Sequence, residues 1–293
     1  MGAGSLLRPA AVFRDAALGE GRDVSVTGGA VRVFRRGAGK SALLLHGAFA
    51  NANLWRKVVP LLSARFQCTV PDLPMAAHTI PMGEGADLSL PGLGRMALDV
   101  MDESRIRSAV VVGNDTGGAV AQWLAVNHPD RVSALVLTPC DAFDNFFPPL
   151  FRYLQWASRV PGACWWLSQN MRVPVLRRGP IAFGWLTRAP VERKIEDTYA
   201  LPWAESGAIR RDAVRLLRAV DASHTRDVAA RLGSFPRRAI IAWPPDDRVF
   251  AFRYAERLAR ALPNASLERL ADCGTLVPED QPARLAQLIL SLV

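Results

Sequence analysis

Three short stretches of this chain are apolar almost throughout, and each is followed by residues that suit a helix. They cover residues 41–46 (SALLLH), 67–71 (QCTVP) and 108–112 (SAVVV). A strand that faces water on one side alternates apolar and polar residues, so a continuous apolar run is typical of a strand buried on both faces. Repeated strand–helix units of this kind predict a parallel sheet with helices on both of its faces.

The rest of the chain extends this pattern, apart from one interruption. The first twenty residues are expected to be a loose lead-in, and residues 23–36 alternate around Gly28 and Gly29 as a β-hairpin does. Further strands are predicted at 132–138, 238–243 and 266–271, and helices at 52–63, 92–104, 252–262 and from about 281.

The interruption covers residues 141–225, which are rich in helix formers, aromatic residues and prolines and show no clear strand pattern. We therefore interpret the chain as one α/β domain, a doubly wound and mostly parallel sheet, with a helical cap inserted into it. The predicted parts are residues 1–140 for the first part of the core, 141–225 for the cap and 226–293 for the second part of the core.

The charge and the cysteines exclude several classes of function. The chain has a net charge of +9, but its arginines are scattered and form no basic block, so no nucleic-acid partner is expected. Four widely spaced cysteines fit neither a metal site nor a disulfide scaffold. Because no signal peptide or membrane-length apolar run is apparent, we expect a cytoplasmic protein without cofactor, metal or stable membrane insertion. The oligomeric state stays open.

Residues 113–118 (GNDTGG) place a carboxylate, Asp115, between a buried strand and a helix. In open parallel sheets, ligands bind beyond the carboxyl ends of the strands. A sharp strand-to-helix turn leaves little room beside its central residue, and Gly113, Gly117 and Gly118 relieve that crowding. The N–H groups and positive end of the helix that begins there favour an anion. The pattern predicts that Asp115 projects into a cavity as the reactive group, in preference to a simple helix-capping role.

This pattern is the nucleophile elbow G-x-Nu-x-G with aspartate at its centre, and residues 25–293 resemble the α/β-hydrolase fold superfamily. The resemblance rests on several segments in the family's order. They are 45–48 (LHGA), 71–74 (PDLP), the elbow at 113–118, the strand at 132–137, 243–248 (WPPDDR) and 272–282 (DCGTLVPEDQP).

An aspartate nucleophile points to the branch that contains epoxide hydrolases and haloalkane dehalogenases. In that branch the carboxylate attacks carbon, and a histidine–acid pair then activates the water that cleaves the resulting ester. The resemblance implies that Asp115 is the nucleophile and Asp247 the acid. Asp246 and Asp141 remain alternatives for the acid.

One departure from the family concerns the base. The resemblance places the catalytic histidine directly after Gly274, where this chain has Thr275. A threonine hydroxyl is no base near neutral pH, so Asp247 would have no imidazole to orient. Among the four histidines, His78 is the best substitute, because the loop after the strand at 67–71 borders the cavity in this fold.

The resemblance also implies the remainder of the site. Backbone N–H groups of Ala48 and Thr116 would form an oxyanion hole. Cap tyrosines protonate the oxirane oxygen in epoxide hydrolases, and the cap here is rich in tryptophan and phenylalanine, which suggests a bulky apolar substrate in a dry pocket. The expected substrate contacts are Phe49, Tyr153, Trp156 and Tyr199.

The expected function is an enzyme of the α/β-hydrolase fold that attacks carbon in an epoxide or a related apolar electrophile. Because Thr275 stands where the base is expected, two alternatives stay open. In the first, Asp115 is the base of a non-hydrolytic cyclase, lyase or isomerase. In the second, the chain binds a small molecule without turnover.

Overall fold

The computed structural model describes residues 7–292, and an eight-stranded sheet forms the centre of this range. The strands are β1 (Glu20–Val26), β2 (Gly29–Arg36), β3 (Lys40–Leu45), β4 (Phe66–Pro71), β5 (Ala109–Asp115), β6 (Val132–Cys140), β7 (Ala239–Trp243) and β8 (Ala265–Arg269). Their order in the sheet is β1-β2-β4-β3-β5-β6-β7-β8. β1, β2 and β4 pair antiparallel, and every other neighbouring pair is parallel.

Helices flank this sheet, which confirms the predicted α/β class. They are α1 (Pro9–Val12), α2 (Val59–Leu62), α3 (Leu90–Glu103), α4 (Thr116–Asn127), α5 (Arg152–Ala157), α6 (Ala163–Asn170), α7 (Pro174–Arg177), α8 (Arg193–Glu205), α9 (Gly207–Ala219), α10 (Ala222–Arg231), α11 (Arg253–Ala261), α12 (Val277–Asp280) and α13 (Pro282–Leu290). Short 3₁₀ turns lie at Ala16–Leu18, Ala52–Trp55, Pro129–Arg131, Pro149–Phe151 and Leu232–Ser234.

The single helix predicted at 52–63 is wrong, because the structure divides this stretch into a 3₁₀ turn and α2. The N–H groups of Leu54 and Arg56 donate to carbonyls only three residues earlier. Pro60 has no N–H and is accommodated only in a first helical turn, so a new helix begins at Val59. An apolar pattern by itself does not reveal such a break.

Helix α4 is the most deeply buried helix next to the site. All of its residues from Thr116 to Ala125 are buried, since it packs against β5 and β6 and also against α3 and α10. A helix enclosed in this way has no polar face, which explains its almost uniformly apolar sequence.

The cap consists of α5 to α9, between β6 and α10. Within it, α8 packs against both α6 and α9. Helix α10 contacts α4 and therefore lies with the core, although the predicted boundary at residue 225 falls inside it.

The segment before β1 is not the loose lead-in that we expected, at least from residue 7 onward. Ala11 and Leu18 are fully buried, and α1 packs against α8 of the cap. The Arg14 guanidinium donates to Asp72 Oδ2 through Nε at 2.8 Å and through Nη2 at 2.6 Å. Both side chains are almost wholly buried, so this ion pair ties the segment to the loop after β4.

We expect Arg14→Ala to lower the free energy of unfolding by about 3–5 kcal/mol, because it leaves the Asp72 charge buried without its partner. Urea unfolding followed by circular dichroism measures this loss. The matched control is Arg32→Ala, whose pair with Asp23 is exposed and should contribute no more than about 1 kcal/mol. Equal losses in the two variants would contradict the docking of this segment.

Candidate active site

The turn from β5 into α4 holds Asp115 in a conformation that side chains rarely adopt. Its φ is 56° and its ψ is −132°. The crowding around it explains the neighbouring glycines. A Cβ on Gly117 would lie 2.4 Å from the carbonyl oxygens of Leu45 and His46, and a Cβ on Gly47 would lie 2.3 Å from the Asp115 Cβ. The strained turn therefore exists only because the backbone of residues 45–47 and the elbow approach so closely that no side chain fits between them.

Every protein hydrogen bond described for the Asp115 carboxylate goes to Oδ1. This oxygen accepts from the N–H of Ala48 at 3.2 Å, from the N–H of Thr116 at 2.5 Å and from the Thr116 hydroxyl at 3.1 Å. Ala48 and Thr116 are the residues expected to supply the oxyanion hole, and the structure brings both to Asp115. Burial raises the pKa of Asp115 above its usual value, and these three donors oppose that rise.

Asp115 lies on the wall of a cavity that is otherwise almost entirely apolar. About 690 Å³ of atom-free space, part of it open to solvent, lies between the elbow and the cap. Its walls are formed by Ala48, Phe49, Asp115, Phe147, Pro148, Phe151, Tyr153, Leu154, Leu167, Met171, Ile181, Ala182, Phe183, Leu186 and Trp203. Asp115 is the one carboxylate among these residues, so a ligand here would meet a single charged group in an apolar enclosure.

Asp247 lies in the loop after β7 and contacts the residue that stands in place of the expected histidine. The Thr275 hydroxyl lies 2.9 Å from Asp247 Oδ2 and 3.1 Å from Oδ1. The N–H groups of Val249 and Phe250 donate to Oδ1 at 2.7 and 2.6 Å. Desolvation nevertheless raises the pKa of Asp247 to about 6.

The other two candidates for the acid have different partners. Asp246 is exposed and pairs with Arg188 of the cap. Asp141 is fully buried after β6, where its Oδ2 lies 2.9 Å from the Thr116 hydroxyl oxygen. Burial and the nearby charge of Asp115 raise the pKa of Asp141 well above its usual value. Asp141 and Asp115 are joined through the Thr116 hydroxyl.

Asn114 joins the Thr275 loop to the elbow. Its side-chain amide donates to the Thr275 carbonyl at 2.8 Å and to the Thr138 hydroxyl at 2.9 Å. The residue before the nucleophile position thus links β5, β6 and the loop after β8. The sequence analysis did not single out Asn114, because a buried amide has no recognisable motif.

His78 does not lie where the sequence analysis expected it. Its Nε2 is 3.2 Å from Asp212 Oδ2, on α9 of the cap, and the ring is buried. The loop after β4 thus directs this imidazole toward the cap helices, where a carboxylate is available to it. Among residues 7–292 no histidine ring is hydrogen-bonded to Asp115 or Asp247.

The other histidines are also accounted for. His46 accepts from the Leu73 N–H at Nε2, and its Nδ1 lies 2.8 Å from the Gly47 carbonyl. Burial lowers the pKa of His46 to about 4, so the ring is neutral and connects the loops after β3 and β4. His128 packs against Trp123 at the end of α4, and His224 lies on α10.

Two of the four expected substrate contacts line the cavity. Phe49 packs edge-on against Trp203, and the Tyr153 hydroxyl donates to the Ile181 carbonyl at 2.7 Å. Burial raises the pKa of Tyr153 to about 12, so this hydroxyl stays protonated.

The other two expected contacts lie elsewhere. Trp156 is 68% exposed on the outside of the cap. Tyr199 is buried behind Phe183, in a small cluster with Ala50 and Ile195. The aromatic content of the cap indicated an apolar pocket, but only the helix packing decides which faces point inward.

In residues 7–292 no cluster of three or more histidine, cysteine or acidic side chains is arranged to hold a metal ion. Over the same range no helix combines the length and the apolar character needed to cross a membrane.

Comparisons with known proteins add a family and several relatives. The family model for the alpha/beta hydrolase fold matches residues 43–282. A cis-3-alkyl-4-alkyloxetan-2-one decarboxylase from Shewanella oneidensis is 25% identical over 88% of this chain and 83% of its own length. An uncharacterized hydrolase, YugF, from Bacillus subtilis is 22% identical over 87% of this chain and 90% of its own length. A crystal structure described as an ancestral haloalkane dehalogenase superposes with a TM-score of 0.76 at 22% identity, covering 92% of this chain and 97% of that one.

We expect Asp247→Asn to stabilise the protein by about 1–2 kcal/mol at pH 7. The folded state holds the Asp247 proton up to about pH 6, whereas an unfolded carboxyl loses it near 4. Stability is therefore lost as the pH rises from about 4 to 6, and the neutral amide avoids that loss. Thermal unfolding of both proteins across this pH range measures the effect. A gain that persists at pH 3, where Asp247 is protonated in both states, would contradict it.

Proposed function

Since the chain belongs to the α/β-hydrolase fold family, we propose that it is an enzyme whose Asp115 attacks a carbon atom of a strained, largely apolar ring, most simply an epoxide. The single observation that carries this proposal is the position of Asp115. It is the one carboxylate on the wall of an apolar cavity, and it is held by the elbow of the family. A buried carboxylate with few donors is a stronger nucleophile toward carbon than a hydrated one.

The hydrogen bonds assign different roles to the two carboxylate oxygens. Oδ1 receives the three donors, so Oδ2 is the oxygen that attacks. The Oδ2–carbon bond forms as the ring carbon–oxygen bond breaks, and the ring oxygen leaves as an alkoxide that takes up a proton. Oδ1 then becomes the carbonyl oxygen of the ester, and the N–H groups of Ala48 and Thr116 already surround it.

Tyr153 is the proposed source of a hydrogen bond to the ring oxygen. Its protonated hydroxyl lies on the cavity wall and donates a hydrogen bond to the Ile181 carbonyl in this structure. A rotation away from that carbonyl would direct the hydroxyl toward a bound ring.

The second half of an epoxide hydrolase reaction lacks its usual base in this chain. The contact between Asp247 and the Thr275 hydroxyl supports the assignment of Thr275 to the family's histidine position. The imidazole that Asp247 would orient is absent, so the usual proton relay from water through histidine to the acid is missing. The ester on Asp115 is therefore expected to form faster than it is hydrolysed.

We expect a reactive epoxide with an aromatic substituent, such as styrene oxide, to label wild-type protein at Asp115. Mass spectrometry of the intact chain and of its peptides measures this label. Asp115→Asn should abolish it, whereas Asp246→Asn, a charge change at an exposed site, should leave it unchanged. Because burial raises the pKa of Asp115, the labelling rate should increase with pH beyond the usual carboxyl range.

A second measurement follows the hydrolysis of the ester on Asp115. Thr275→His restores an imidazole beside Asp247, so the label should disappear with time and the diol should accumulate. Labelling that is absent from wild type, or that occurs away from Asp115, would contradict the nucleophile assignment. A label that stays in Thr275→His would contradict only the view that a missing base limits turnover.

One observation favours a second candidate, a lyase reaction that needs no activated water. The relative from Shewanella oneidensis is named as a decarboxylase of an oxetan-2-one that carries two alkyl groups. Asp115 would attack C4, the alkyl-bearing carbon bonded to the ring oxygen, and the bond between C4 and that oxygen breaks. The ring oxygen then leaves as part of a carboxylate, which needs no proton. Loss of carbon dioxide then forms the carbon–carbon double bond and expels the Asp115 carboxylate. This reaction consumes no water, so it does not need a histidine at position 275 to activate water.

A cis-dialkyl oxetan-2-one separates the two candidates. If the lyase reaction occurs, wild type should release an alkene and carbon dioxide, detected by gas chromatography. Asp115→Asn should reduce the rate by about 10³-fold or more, as expected for loss of a catalytic nucleophile. Formation of a hydroxy acid in place of the alkene would show hydrolysis and reject the lyase reaction.

A further inference from the structure

The outer surface of the cap exposes an unusual concentration of large apolar side chains. Eleven such side chains are exposed in the described range, and nine of them lie between residues 156 and 185. We call these nine the cap face: Trp156, Val160, Trp165, Trp166, Val173, Val175, Leu176, Ile181 and Trp185. Single exposed apolar residues need no explanation, but a concentration of this size indicates an interaction surface.

The segment that carries the cap face is positively charged. Residues 145–191 contain six arginines and no aspartate, glutamate or lysine, so they carry +6 of the net charge of +9. Arg177 is buried and pairs with Asp197, and the other five arginines are exposed. Among these five, Arg172 and Arg188 donate to other groups, whereas Arg152, Arg159 and Arg178 have no side-chain hydrogen-bond partner within the described part of the protein.

The fold brings further arginines beside the cap face. Val160 and Trp165 line one shallow surface groove together with Arg210, Arg211 and Arg218, which belong to α9. Arginines of α9 thus lie beside apolar side chains of the cap face at one groove.

We propose that the cap face docks on the surface of an anionic lipid bilayer. Tryptophan is favoured at the boundary between headgroups and acyl chains, and arginines around it attract anionic headgroups. The aliphatic members would lie in the upper acyl region, as they do in interfacial helices, without any helix crossing the membrane.

The composition of the cap face and the positive charge around it favour an anionic bilayer over a second copy of the chain or a nucleic acid. A second copy of the chain would bring two faces of the same positive sign together, which is unfavourable. Single-stranded nucleic acid would use the tryptophans and arginines, but it would leave Val160, Val173, Val175 and Leu176 without a stacking partner. An anionic bilayer satisfies the aromatic, aliphatic and basic members at once.

The docking surface is continuous with the cavity wall. Ile181 is an exposed member of the cap face and also lines the cavity that holds Asp115. On α6, Leu167 lines the cavity whereas Trp165 and Trp166 are exposed. An apolar ligand dissolved in the bilayer would therefore meet the cavity at the docked surface. The docking itself does not depend on the reaction of Asp115.

Co-sedimentation with vesicles tests the proposal. Wild type should bind vesicles of phosphatidylcholine mixed with phosphatidylglycerol, and bind poorly to phosphatidylcholine alone or at high salt. The double variant Trp165→Gln/Trp166→Gln should reduce the partition coefficient about tenfold or more. The matched control Val12→Gln/Leu61→Gln, at two exposed apolar residues outside the cap, should bind as wild type does.

A second pair of variants tests the role of the charge. Arg159→Glu/Arg178→Glu should reduce binding about tenfold or more, since each basic residue at the surface contributes to attraction. Arg226→Glu/Arg237→Glu makes the same change of net charge outside the cap and should reduce binding far less. Urea unfolding confirms that all variants are folded, and Asp115→Asn should bind like wild type.

Three results would overturn the proposal. The first is the absence of binding to anionic vesicles. The second is an equal loss in the two arginine pairs, which would indicate unspecific charge attraction. The third is a dimer in solution that depends on Trp165 and Trp166, with vesicle binding unaffected, because the cap face would then contact a second copy.

Discussion

The site depends on the close approach of two backbone stretches, the end of β3 with Gly47 and the elbow that holds Asp115. The end of β3 passes so near to α4 that Gly117 has no room for a Cβ, and Gly47 lies equally close to Asp115 itself. This contact forces Asp115 into its strained conformation and places the N–H groups of Ala48 and Thr116 on the same carboxylate oxygen. Two backbone N–H groups thus hold the carboxylate, with the Thr116 hydroxyl as a third donor.

Three carboxyl groups share the electrostatics of this region, and each of them contacts a threonine hydroxyl. Of these threonines, only Thr275 stands where the resemblance places a histidine. Thr116 joins Asp115 to Asp141, and Thr275 contacts Asp247. Burial raises the pKa of all three carboxyl groups, and the charge of Asp115 raises that of Asp141 further. Such a site holds a carboxylate nucleophile, but it lacks the imidazole that usually activates water. The reactions that suit it are those in which the substrate itself provides the leaving group.

The cap has two apolar sides, and they serve different purposes. Its inner side, with Leu167, Phe183 and Trp203, encloses the cavity. Its outer side carries tryptophans and unpaired arginines that a water-facing surface does not require. Helix α6 contributes to both sides, with Leu167 on the cavity wall and Trp165 and Trp166 exposed. An anionic bilayer is the partner proposed for the outer side.

Sequence by itself determined the sheet, the elbow and the apolar character of the cap, because these follow from local patterns. Buried strands have continuous apolar runs, and the elbow needs glycines at fixed spacing around Asp115. The helix predicted at 52–63 failed because Pro60 starts a new helix, a local effect that the apolar pattern conceals. The loose lead-in failed because the buried pair of Arg14 with Asp72 is a contact that no local pattern encodes. Only the tertiary structure decided that His78 turns to Asp212, that Thr275 meets Asp247 and that Trp156 faces outward. Each of these depends on which surfaces of the cap and the core face each other, and that is a property of packing between segments far apart in the chain.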